Sequence, residues 1–251
     1  MTPRVHLPGP LHAGAEHRLE RELAHYLTRV LRLRPGDDLE VFDGEGARHG
    51  ATLLAVDSRH AVLRIDAARP GLPDSPLPVF LAQCLSAGEK MDWTIEKAIE
   101  LGAHGIIPLQ SRRSVVRLDD DRAQRRAEHW QRLAIAACMQ CGRDRLPRIE
   151  PVRPLASWLQ SAWPRSTRLV LAPGARAAIG SIETPEPGPL LILVGPESGL
   201  ADDELDAAVN AGFQPVSMGP RILRTETAGL AAIAVLQARF GDLAAMGDGA
   251  G

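Results

Sequence analysis

The chain has 251 residues, 45% hydrophobic and 24% charged, a globular balance that excludes a disordered tail and supplies apolar material for one large domain or two ordinary ones. Its formal charge is -2 at pH 7, so bulk charge names no polyanionic partner, and the distribution of arginine, which supplies every cation except Lys90 and Lys97, has to carry that argument. The apolar run Ala228 to Leu236 falls well short of the roughly 18 residues of a membrane span, Met1 to Gly14 holds no apolar signal core, and three cysteines make no disulfide framework; a cytoplasmic setting is expected.

In chain order, Leu19, Leu23, Tyr26, Leu27 and Val30 recur at helical spacing ahead of the Pro35-Gly36 stop, which predicts a helix. Three β-prone runs follow at Asp38 to Phe42, Ala51 to Asp57 and Ala61 to Asp66, separated by turns at Asp43-Gly-Glu-Gly46 and Asp57-Ser-Arg-His60. They suggest a small β-barrel. Between Arg69 and Pro78, four prolines and a glycine continue neither helix nor sheet ladder. The domain boundary belongs there, with a first domain over 1–72 and a second over 76–251.

Beyond it, β-like runs at Val79 to Leu85, Gly105 to Leu109, Arg168 to Ala172, Leu190 to Val194 and Gln214 to Ser217 alternate with helical segments. The helices span about Lys90 to Leu101, Ala123 to Cys141, Leu155 to Ala162, Asp202 to Ala211 and Thr225 to Phe240. Alternation of this kind predicts an α/β class with a parallel sheet.

Two loops carry the chemistry. Leu190 to Val194 reads as a strand buried on both faces, and it empties into Gly195-Pro-Glu-Ser-Gly-Leu200; in open α/β sheets ligands gather at such carboxyl ends. Gly195 and Gly199 allow close backbone approach, Pro196 stiffens the turn, and Glu197 sets a carboxylate at the crevice. The alternative is an ordinary strand-to-helix connection. The second loop, Ser217 to Ala228, mixes Arg221, Arg224 and Glu226 with Thr225 and Thr227. A helix cap accounts for one threonine but not for the charged residues together. The helix that follows is small and apolar all round, so it should be buried and hold the loop rigidly.

Other chemistries fit poorly. No phosphate-loop or dinucleotide fingerprint stands at a strand-to-helix turn, and the histidines are scattered with no metal-ligand cluster. Cys138-Met-Gln-Cys141 has the spacing of a metal or redox pair but lies inside a helical pattern with no second pair, so partly buried structural thiols are expected. Between Arg112 and Arg148, ten arginines face five acids. Arg112, Arg113 and Arg117 follow a strand end and Arg143, Arg145 and Arg148 follow a helix end, so both groups could rim one crevice and meet phosphates; Arg122, Arg125 and Arg126, interleaved with acids, fit a solvated helix face as well. A second basic group, from His17 to Arg34, belongs to the small β-domain. A β-barrel with a basic flank beside an α/β domain suits RNA docking plus catalysis.

The residues Met218-Gly-Pro-Arg-Ile-Leu-Arg-Thr-Glu-Thr-Ala228, with Gly195-Pro-Glu-Ser-Gly199, resemble the SPOUT methyltransferases, specifically the 16S ribosomal RNA uracil-N3 methyltransferases acting at the position called 1498. The resemblance covers the whole chain. Lys90, Lys97 with Glu100-Leu-Gly102, Arg113-Ser-Val115, Gln140 with Gly142-Arg143, Val30-Leu-Arg-Leu33 and Pro35-Gly-Asp37 add to it. Met218 replaces the family's usual Leu, Ser198 a Gly, and Met139 a Glu, so no catalytic role passes to position 139.

This resemblance implies a PUA-like β-barrel for RNA binding, a C-terminal α/β domain tied in a deep trefoil knot, S-adenosylmethionine as cofactor, no metal, and a homodimer. It implies that Leu171, Ala172, Val194, Gly195, Pro196, Glu197, Gly199, Met218, Gly219, Ile222, Leu223, Arg224, Thr225, Thr227 and Ala228 hold the cofactor. Arg224 and Glu226 are the expected catalytic residues. Arg4, Arg29, Arg32, Arg112, Arg113, Arg143 and Arg221 are the expected RNA contacts. A SPOUT enzyme acting on another RNA or on a ribose 2'-oxygen, and a non-catalytic ribosome-assembly protein, are the rival readings.

Overall fold

The computed structural model describes residues 2–57, 60–161, 163, 165–183, 185 and 187–243. They divide into two compact units, the first made of 1–74 with 138–146 and the second of 75–137 with 147–251.

The first unit is a five-stranded sheet in the order β1-β3-β4-β5-β2, from β1 (Arg4–His6), β2 (Glu16–Leu19), β3 (Asp38–Phe42), β4 (Arg48–Val56) and β5 (Ala61–Arg69). β1 runs parallel to β3 and the other pairs are antiparallel. Alternating apolar residues such as Leu39, Val41, Leu53, Leu63 and Ile65 are fully buried, as a one-faced sheet requires. The three predicted strands are present, whereas β1 and β2 fall on sequences with no apolar alternation. Pairing with β3 and β5 holds these short edge strands. Leu19 is therefore taken by β2, opposite Ala61, and the helix starts two residues later as α1 (Arg21–His25). It passes at once into a wider π turn at Tyr26–Val30, with Arg32 at φ 57° beyond its end.

Residues 138–146 join this unit chiefly through charged side chains. Asp144, whose side chain is 0% exposed, accepts from Arg4 at 2.5 Å, Arg48 at 3.0 Å and the Leu72 backbone N–H at 2.7 Å. Arg143 pairs with Asp74 at 2.9 Å. The Arg4 and Arg143 side chains are 8% and 9% exposed, so the expectation that they contact RNA is corrected. A buried guanidinium needs its carboxylate partner, and both cations are consumed inside the unit.

The second unit is an eight-stranded parallel sheet. Its strands are β6 (Val79–Cys84), β7 (Gly105–Gln110), β8 (Arg148–Ile149), β9 (Arg153–Pro154), β10 (Thr167–Leu171), β11 (Ala177–Ala178), β12 (Leu190–Val194) and β13 (Gln214–Ser217). Their order is β11-β13-β10-β12-β6-β7-β8, with β9 also on β7. The five strands expected here begin and end within one residue of the predicted runs; the two-residue strands, too short for any period, were not foreseen.

The helices are α2 (Lys90–Glu100), α3 (Asp120–Cys141), α4 (Leu155–Leu159), α5 (Asp202–Asn210) and α6 (Thr225–Phe240). The predicted end of α4, Ala162, lies outside the described residues. One apolar layer joins Leu191 and Leu193 of β12 to Trp158 of α4 and Ala208 of α5. On the other face α6 packs on β12, β6 and α2, and Gly229 lets it close: a Cβ there would fall 2.9 Å from a Leu81 methyl and 3.4 Å from Val194. As expected, Ala228 to Gln237 are all buried or half-buried. β12, buried at all five positions, enters late in the chain between β10 and β6, and this reversal of strand order opens a crevice at the carboxyl ends.

Candidate active site

A cavity of about 600 Å³ occupies that crevice, within the range of small-molecule sites. The loops after β10, β12 and β13 and the first turn of α6 form it, with Lys90 reaching in from α2. Every residue expected to hold the cofactor lines it except Thr227, which is exposed on the first turn of α6. Glu226 and Arg224 both line it, as does Arg221.

Local chemistry explains why these loops converge. The Thr225 hydroxyl donates to the Gly195 carbonyl at 2.6 Å and accepts from Gln83 Nε2 at 2.9 Å. Gln83 is fully buried on β6, so one hydroxyl ties α6 to the ends of two strands. No threonine caps α6: Arg224 stands at the N-cap without a side-chain bond, and the Thr225 hydroxyl is turned to the strands. The loop after β12 folds back on itself, and a Cβ on Gly195 would lie 2.9 Å from the Leu200 backbone nitrogen. Gly199, at φ 71°, completes the turn. Ser198 uses its hydroxyl, donating to the Arg113 carbonyl at 3.2 Å, while Arg113 donates to the Leu200 carbonyl at 3.1 Å. Arg112 makes a two-pronged pair with Asp203, and its backbone N–H donates to Glu204 at 2.7 Å. Glu204 also accepts from Ala201 N–H at 3.0 Å, closing the first turn of α5. Arg112 and Arg113 thus brace the loop while staying exposed. Arg221 is exposed at the cavity, and Arg29 and Arg32 are exposed on the first unit.

Charge concentrates at one side of the cavity. Glu197 Oε1 accepts from Ala87 N–H at 3.0 Å and from Lys90 Nζ at 3.2 Å. Partial burial alone would raise its carboxyl; the N–H groups of Ala87 and of Glu197 itself, together with Lys90, outweigh this and hold it below the usual carboxylate range. Lys90 Nζ is also 3.9 Å from Glu226 Oε2, an atom buried with no hydrogen-bond partner among the described residues. The ion pair of Glu226 is therefore with Lys90. Sequence reasoning left Lys90 out of the site; its position at the start of α2, just after the end of β6, was the available signal.

Among the described residues no cluster of three or more His, Cys, Asp or Glu is arranged to hold a metal. Cys138 is buried in α3 with its thiol toward the Arg145 carbonyl, and Cys141 is half-buried near it. Burial pushes the Cys84 thiol up to about 12.

Residues 73–237 match the family described as RNA methyltransferase domain, and residues 19–66 match RNA methyltransferase PUA domain. The ribosomal RNA small subunit methyltransferase E of Buchnera aphidicola subsp. Schizaphis graminum is 32% identical over 96% of this chain and 98% of its own length. The chain belongs to the ribosomal RNA small subunit methyltransferase E family. Within this family the Bacillus subtilis member is 32% identical over 86% of this chain and 87% of its own. The Neisseria gonorrhoeae member, solved bound to S-adenosyl methionine, is 37% identical, covering 97% of this chain and all of that one at a TM-score of 0.91. A Legionella pneumophila protein solved with bound SAM is 33% identical at the same TM-score, over 97% of this chain. The fold is accordingly that of the SPOUT α/β methyltransferases with an N-terminal PUA-like domain.

Proposed function

We propose that this chain uses S-adenosylmethionine to methylate N3 of one uridine, the 1498 position, in 16S ribosomal RNA, acting as a cytoplasmic homodimer on the small subunit. The observation that carries this reading is that one cavity gathers both motif loops, Gly195 to Gly199 and Met218 to Ala228. The lining suits the cofactor. Leu171, Val194, Ile222 and Leu223 give apolar walls for a flat base, Gly195 and Gly199 line it without side chains, and the buried Glu226 Oε2, with no hydrogen-bond partner among the described residues, offers one polar acceptor.

When bound, S-adenosylmethionine supplies a methyl group already activated on its sulfonium. The protein's work is then to align that methyl with N3 and to accept the weakly acidic N3 proton. The backbone of the three loops fixes the cofactor, and alignment supplies much of the rate. Glu197, held by Ala87 and Lys90, keeps the loop after β12 in place. Arg224 holds the developing uracil oxyanion or the target phosphate. Glu226 would accept the proton that N3 loses when it takes the methyl group. The base has to leave its stack for N3 to be reached. Arg29, Arg32 and Arg221 supply exposed cations for phosphates. The homodimer is supported by Trp93 and Ile222, which are 45% and 83% exposed on elements that form the site and are apolar enough to be covered by a second copy.

The test is to incubate the protein with methyl-labelled S-adenosylmethionine and unmodified small subunits, digest the RNA and identify the nucleoside by mass spectrometry. Labelled 3-methyluridine at a single position is the expected result. A 2'-O-methyl nucleoside, or no label despite cofactor binding, would reject the assignment.

A further inference from the structure

Lys90 is the cation whose Nζ stands between two carboxylates of the cavity, 3.2 Å from Glu197 Oε1 and 3.9 Å from Glu226 Oε2. The charged groups lining the cavity with Glu226 are Lys90 from α2, Glu197 from the loop after β12, and Arg221 and Arg224 from the segment before α6. Lys90 is only 35% exposed and Glu226 14%, so their interaction is less screened than a surface pair.

We propose that Lys90 is a positioning residue for methyl transfer: it bridges Glu197 and Glu226, joining the loop after β12 to the first turn of α6, and holds the Glu226 carboxylate at the cavity as acceptor of the N3 proton. This rests on the function proposed above. The bridge divides the labour between the two acids. Glu197, with a second bond from Ala87 N–H, is the fixed anchor. Glu226, with Oε2 otherwise unpartnered, is the one free to exchange its proton. Lys90 reaches both from a separate element, so the acceptor is held in place only when α2, the β12 loop and α6 are assembled.

The experiment follows two readouts in the whole chain, each through the cycle of Lys90→Met, Glu226→Gln and the double variant. The first is the single-turnover rate of 3-methyluridine formation. The second is the unfolding free energy in urea. Lys90→Met should slow methyl transfer about tenfold, or about 1.4 kcal/mol, and cost little further in the Glu226→Gln background, because the two residues act as one pair. Lys90→Arg, which keeps the charge, should restore most of the rate. Additive losses of rate in the double variant, or a rate not recovered in Lys90→Arg, overturn the proposal. Absence of 3-methyluridine from the wild type, with the unfolding cycle still non-additive, would sink the methyl-transfer reading and leave the Lys90–Glu226 coupling standing.

Discussion

At the residue scale, small chemical details decide whether the cavity exists. Gly195 has no room for a methyl group, because the atom it would meet is backbone, the Leu200 nitrogen at 2.9 Å. Gly195→Ala should therefore weaken S-adenosylmethionine binding by about tenfold, or about 1.4 kcal/mol, with the circular-dichroism spectrum unchanged; titration calorimetry reads the loss. Thr225→Val leaves the Gly195 carbonyl without its donor and removes an acceptor from buried Gln83. Losing such a buried bond costs about 1 to 3 kcal/mol, to be measured by urea unfolding. Glu197 carries the pH dependence. Its folded carboxyl lies below the usual range, so its contribution is complete above the ordinary carboxylate value of about 4 and is lost as pH falls through the lower folded value. Cofactor affinity followed down in pH should drop there in the wild type and stay flatter in Glu197→Gln.

At the element scale, α6 is the support on which the site rests. It packs flat against β6 and β12 because Gly229 faces Leu81 and Val194. Gly229→Leu would drive a side chain into that layer, and overpacking of this kind costs about 1 to 3 kcal/mol; a lowered unfolding midpoint with weaker cofactor binding is expected. The same helix shows how local preference yields to tertiary context. A threonine at a helix start suggests a cap, yet Thr225 is turned inward to two strands, because an unpaired carbonyl beside a cavity is costlier than an uncapped helix end. α1 is a second case. The apolar spacing from Leu19 to Val30 signals one helix, but pairing of Leu19 with Ala61 claims its start for β2.

At the scale of the whole molecule, residues distant in sequence become one unit. Asp144 accepts from Arg4, Arg48 and Leu72, so the β-domain is not closed until 138–146 has been made. A fragment ending at residue 74 should be unfolded or molten by circular dichroism. Asp144→Ala in the full chain should cost about 3 to 5 kcal/mol, seen as early loss of the first unit in amide hydrogen exchange. Both would fail if the Arg4 and Arg48 guanidiniums found other carboxylates.

The sequence by itself determined the α/β class, the principal strands of the second unit, and the two loops that meet at the cavity, since all of these are local: continuous apolar runs ending in glycine, and charged residues crowded where no structural loop needs them. Tertiary structure alone decided which charges are free. Arg4 and Arg143 read as phosphate contacts but lie buried against Asp144 and Asp74, while Lys90, given no part in the site by its neighbours, stands between its two carboxylates. The physical reason is that a cation's role depends on the distance to its partner and on the water around both, and neither is written in the spacing of residues along a chain.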